Sequence, residues 1–89
     1  MREFSVEDLL FKDFQDNNDD DALKQLIINL NAFLYAIVIS FVFDEEATEN
    51  IIDEIIFELI KNKKNYNIQK RSIIYEAYLI AKKSIRNKV

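Results

Sequence analysis

Residues 22–43 read ALKQLIINLNAFLYAIVISFVF, and the reading of this stretch decides the fold. Leu23, Leu26, Ile27, Leu30, Leu34, Ile37, Val38 and Phe41 recur at i, i+3, i+4 and i+7, the spacing that lines one face of an α-helix. Beyond Ala32 the remaining faces are apolar as well, with Phe33, Tyr35, Ile39, Val42 and Phe43. A helix that is apolar all round sits in the middle of a bundle or in a membrane. Residues 26–43 number 18, enough to keep the membrane option open. Against a span stand Asn29, Asn31, Ser40, acidic flanks and the lack of a basic border. Met1-Arg2 leads into acidic residues rather than an apolar run, so no signal peptide is expected.

Outward from this helix, the signals on both sides are helical too. Ser5 can cap a first helix with Asp8 at its third position, and Leu9, Leu10 and Phe14 give that helix an apolar edge. The run Asp16-Asn17-Asn18-Asp19-Asp20-Asp21 ends it, and its aspartates suit the positive end of the next helix dipole. The run lacks the spaced ligands, central Gly and closing Glu of a calcium loop. Asp44-Glu45-Glu46 caps a third helix reaching about Asn62, with Ile52, Ile55, Ile56 and Leu59 inside. A polar, basic loop covers residues 62–71. Ser72 then caps a fourth helix to about Lys88, with Ile74, Ala77, Tyr78, Ala81 and Ile85 inside. The expectation is an all-α, single-domain bundle of about four helices around a nearly all-apolar second helix.

Composition agrees with that and excludes most catalysis. The 89 residues contain no Gly, Pro, Cys, Trp or His. Helix interiors exclude Pro and disfavour Gly, whereas hairpins depend on Gly for positive φ. Without Cys or His there is no disulfide framework, zinc knuckle, thiol nucleophile or imidazole base. Without Gly there is no phosphate-cradling loop. No convergent set of carboxylates, lysines and tyrosines stands out either, so the chain is expected to be neither an enzyme nor a holder of a cofactor or metal. A chain this short buries only about 60–65% of its unfolded surface.

The net charge of −4 hides a strong asymmetry. Residues 1–60 carry 3 basic and 15 acidic side chains, a net of −12, and residues 61–89 carry 9 basic and 1 acidic, a net of +8. Such sorting points to one surface for an anion such as nucleic acid and another for a basic partner. The competing reading is that the two halves neutralise each other within the fold or across a dimer.

The order of elements resembles a known family. Leu34-Tyr35-Ala36-Ile37 is followed by a short acidic turn and then Thr48-Glu49-Asn50-Ile51-Ile52-Asp53-Glu54-Ile55-Ile56-Phe57. After the basic loop comes Tyr78-Leu79-Ile80-Ala81-Lys82-Lys83-Ser84-Ile85-Arg86-Asn87-Lys88. This is similar to the second conserved region of bacterial RNA polymerase sigma factors of the small extracytoplasmic-function type. There an "LYRLA"-like helix leads to an "AEDLVQEVF" helix, a loop and a "WLYRIARN…R" helix. The fit runs from Asp8 to Lys88 almost without gaps. The sequence departs from the pattern at Asp53, where the family has Gln, at Ile56, where it has Phe, and at Glu76, where its Trp would fall. No helix-turn-helix of the promoter −35 type is present, so the resemblance implies an excised domain or a stand-alone subunit of a split sigma factor.

The resemblance implies two surfaces. Glu49, Asn50, Asp53 and Glu54 match positions that dock on the coiled coil of the polymerase β′ subunit, and Phe57 would add apolar contact there. Promoter DNA at the −10 element would meet Lys63, Lys64, Tyr66, Asn67, Gln69, Lys70 and Arg71 of the loop, and Lys82, Lys83, Arg86, Asn87 and Lys88 of the last helix. Charge would hold phosphates, Tyr66 would stack or line a pocket, and Asn67 and Gln69 would read a base edge. Expected partners are the β′ subunit, promoter DNA, an anti-sigma factor and a second sigma subunit carrying the −35 contact. The setting expected is cytoplasmic, without a membrane. The alternative is a small acidic helical interaction module, such as an antitoxin, an anti-activator or half of a helical homodimer, with no DNA binding.

Overall fold

A computed structural model describes Arg2 to Lys88, leaving Met1, Val89 and the side chain of Lys88 outside the described residues. The described residues form α1 (Val6–Asn17), α2 (Asp20–Val42), α3 (Glu45–Lys61) and α4 (Ile73–Lys88), with a single 3-10 turn at Lys63–Asn65.

Local chemistry sets each boundary. Ser5 caps α1 in a reciprocal box: its hydroxyl accepts from the Asp8 N–H, and the Asp8 carboxylate accepts from the Ser5 N–H, each at 3.1 Å. Asp19 caps α2 by accepting from the Asp21 and Ala22 N–H groups, which places Asp20 and Asp21 in the positively polarised first turn. Asp44 does the same for α3, accepting from Ala47 at 2.7 Å. The chain leaves α1 and α2 through left-handed residues, Asn18 at φ 52° and Phe43 at φ 55°. Asn tolerates that conformation; for Phe it costs about 1–2 kcal/mol.

The core is built from stripes spaced mainly by four: Leu26, Leu30, Leu34 and Val38 of α2, Ile51, Ile55 and Leu59 of α3, and Ile73, Ala77, Ala81 and Ile85 of α4. Phe11 and Phe14 of α1, Ile52 and the loop residue Ile68 complete it. Helix α2 packs against all three other helices, as α4 also does. Among the described residues it alone is long and apolar enough to cross a membrane, with mean hydropathy 1.9. The radius of gyration is 12.9 Å, near the roughly 12 Å of a compact chain of this length, so α2 is held in the bundle and not splayed from it.

Three inner faces differ from the expected ones. On α1 Leu9 points out, 53% exposed, and Phe11 is buried, because the inward turn of Asp8 toward α4 rotates the helix. On α3 Ile51 enters the core while Ile56 lies at its edge. On α4 Ile73 enters, with Ile74 and Tyr78 only half-buried. Helix α2 also leaves Ile28, Phe33 and Phe41 exposed, and Phe43 at its end is 83% exposed.

Candidate functional site

Burying Ile51, Ile52, Ile55 and Leu59 turns the other side of α3 to solvent, so Glu49, Asn50, Asp53, Glu54 and Phe57 share one exposed strip. Phe57 is 65% exposed, a large apolar side chain at the end of an acidic surface. The strip's field reaches α2: the Tyr35 phenol is pushed above its ordinary value by desolvation, then by the Glu45 and Glu49 carboxylates.

The basic loop is ordered from beneath. Gln15 on α1 donates from Nε2 to the carbonyls of Lys63 and Tyr66, each at 2.6 Å. The Tyr66 ring packs edge-on against Phe11 with centroids 6.1 Å apart. Burial pushes its phenol up, with Glu58 and Glu76 adding to the effect. Lys63 lies over the Phe14 ring, its Nζ 4.3 Å from the centroid, and donates to the Phe14 carbonyl and the Asn18 side chain. Asn67 accepts from the Gln69 N–H at 2.9 Å, closing an Asx turn, and Ile68 is buried. Lys63 and Tyr66 are therefore posts that hold the loop, whereas Lys64, Asn67, Gln69, Lys70 and Arg71 are exposed.

Part of the loop borders an open cleft of about 220 Å³ lined by Asn65, Tyr66, Asn67, Lys70, Arg71 and Glu76. Arg71 pairs with Glu76 at 3.2 Å and lies 5.8 Å from the Tyr75 ring centroid. Glu76 thus sets a carboxylate on the cleft wall, where it offsets one of the cations.

A buried polar junction fixes the loop to the helices. Asp8 is fully buried, and its carboxylate accepts from the backbone N–H of Ile73, the first residue of α4, at 2.8 Å. Arg2 donates to Asp8 at 3.0 Å and, through Nε, to the Ile68 carbonyl at 2.8 Å. Desolvation would raise the Asp8 carboxyl, but hydrogen bonds from Ile73, Ser5 and Arg2 outweigh it and hold it below its ordinary value. The sequence pattern marks Asp8 as a local cap; nothing in it signals a donor 65 residues away.

On α4 the cations divide between two faces. Lys82 and Arg86 border an apolar cleft of about 220 Å³ with Ile37, Phe41, Tyr78 and Ile85. Lys82 also lies 5.7 Å from the Tyr78 ring centroid. Lys83 and Asn87 turn the other way, into a cleft of about 370 Å³ between α3 and α4 that they share with Glu54, Phe57, Glu58, Ile80 and Ser84. The described side chains among those expected at DNA do not form one patch, and members of both expected surfaces meet in this last cleft. The Lys88 side chain lies outside the described residues. Among the described residues no group of three or more carboxylates could hold a metal ion.

No family model matches the chain, and no curated protein or solved structure is found to be similar to it.

Proposed function

We propose that this bundle is a transcription-initiation module of the sigma region 2 kind, docking through α3 on the coiled coil of the RNA polymerase β′ subunit and holding −10 promoter DNA with the loop and α4. The observation that carries the reading is the pairing of an outward acidic strip on α3, ending in exposed Phe57, with a basic loop that Gln15 orders from below. Carboxylates on that strip steer encounter with a basic partner and penalise wrong ones. Lys64, Lys70 and Arg71 supply phosphate contacts, and the cleft beside them offers a place for an unstacked base, with Asn67 rather than the packed Tyr66 as its accessible polar group.

A test uses the whole chain and the isolated β′ coiled coil at two salt concentrations, with Glu49→Lys/Asp53→Lys as the control. Salt-sensitive binding that the double substitution abolishes supports the reading. No binding at about 50 µM, an interaction weaker than about −6 kcal/mol, rejects it. The second reading, a helical interaction module without DNA binding, is favoured by Phe41 on α2 and Phe43 just past its end, which are 60% and 83% exposed. Capture of a protein partner lost in Phe41→Ser, with no affinity for single-stranded −10 DNA, selects it.

A further inference from the structure

The cleft between α3 and α4 has an unusual distribution of charge. Glu54 and Glu58 stand on the α3 wall, Lys83 stands on the α4 wall, and Phe57 and Ile80 bring apolar surface between them. A two-fold axis running along such a cleft lays α3 of one molecule over α4 of another. Each acidic wall then faces a basic wall, and the two phenylalanines share the apolar floor. A two-fold axis across the cleft would instead set acid over acid. One symmetric arrangement is thus electrostatically matched and its rival is not.

We infer that the occupant of this cleft is a second copy of the chain, in an isologous dimer in which Phe57 of each copy seats against Ile80 of the other and Glu58 pairs with Lys83. The 65% exposure of Phe57 is relieved in that dimer, and the open volume of about 370 Å³ is the space its ring enters. The dimer also covers Glu54, Phe57, Lys83 and Asn87 together. It would therefore withhold the β′-docking strip and part of the DNA face at once, a consequence that rests on the function proposed above. The interface itself does not.

Sedimentation of the full chain alone, from about 1 µM to about 1 mM, tests it without polymerase or DNA. Self-association is expected, weakening with salt because the pairs lie at the rim. Glu58→Lys or Lys83→Glu alone, each entering the assembly twice, should raise the dissociation constant roughly tenfold. The two together should restore it, and Phe57→Asp should leave a monomer. Circular dichroism checks that each variant keeps its helices, and Glu58→Gln and Lys83→Gln give a milder pair if a reversal unfolds the chain. A monomer throughout the range, a dimer indifferent to Phe57→Asp, or a double reversal that fails to restore association overturns the inference. Any of these leaves the Glu49/Asp53 test of polymerase docking untouched.

Discussion

Asp8 of α1 caps α4 from across the molecule: its Oδ1 accepts from the Ile73 N–H at 2.8 Å, while its other oxygen accepts from Ser5 and Arg2. One carboxylate thereby serves the first turns of two helices, and Arg2 carries the tie on to the loop carbonyl of Ile68.

Removing that carboxylate should be among the most damaging single changes. Asp8→Ala leaves the buried Ile73 N–H without its acceptor and takes from Arg2 its carboxylate partner, a loss of about 3 kcal/mol. Urea denaturation at neutral pH checks the magnitude. The same junction sets the acid limit. The folded carboxyl is held below its unfolded value, so its contribution is present above the ordinary aspartate range near pH 3.9 and is lost as pH falls through the folded value. Asp8→Asn should flatten the fall in stability below about pH 4, and a parallel fall in both proteins would refute this role.

Phe43 lies in the left-handed region at the end of α2 with its ring in solvent, so it contributes strain without compensating burial. Phe43→Asn should raise stability by about 1 kcal/mol, read as a higher Tm. An unchanged or lower Tm would mean that the ring packs more than its exposure implies.

Gln15 holds two carbonyls of the basic loop. Gln15→Ala should cost about 1–2 kcal/mol. Amide exchange should accelerate at residues 62–71 before it does in the core of α2. Uniform acceleration through the bundle would show that the loop is not a separately opening unit.

The loop cations should separate into two classes. Lys64→Gln/Lys70→Gln should lower the slope of log K against log salt for single-stranded −10 DNA by about 1.4 while leaving Tm nearly unchanged. Lys63→Gln, which removes the contacts to Phe14 and Asn18, should lower Tm with a smaller effect on that slope. Equal slopes for the two variants would remove the distinction.

The fold was legible because its rules are local. Periodicity placed four helices, and Ser5, Asp44 and Ser72 marked starts that short-range hydrogen bonds produce. Rotation of each helix about its axis was less legible, since Leu9 and Phe11 differ only in which one faces a neighbour. The candidate surfaces followed the same division. The strip on α3 could be read because it is the complement of a buried stripe. The loop could not: Tyr66 and Lys63 look available in sequence and are held against Phe11 and Phe14 by contacts spanning some fifty residues.

The Asp8–Ile73 bond also orders the protein's biosynthesis. Asp8 leaves the ribosome long before its donor, which lies 65 residues further along the chain. Until Ile73 emerges, Ser5 and Arg2 can satisfy one carboxylate oxygen, and burying the other against the first three helices would leave it without a donor. The nascent chain can form α1, α2 and α3 early, since their bonds are local. Closing the bundle awaits translation of α4, the helix that lets α1 dry out.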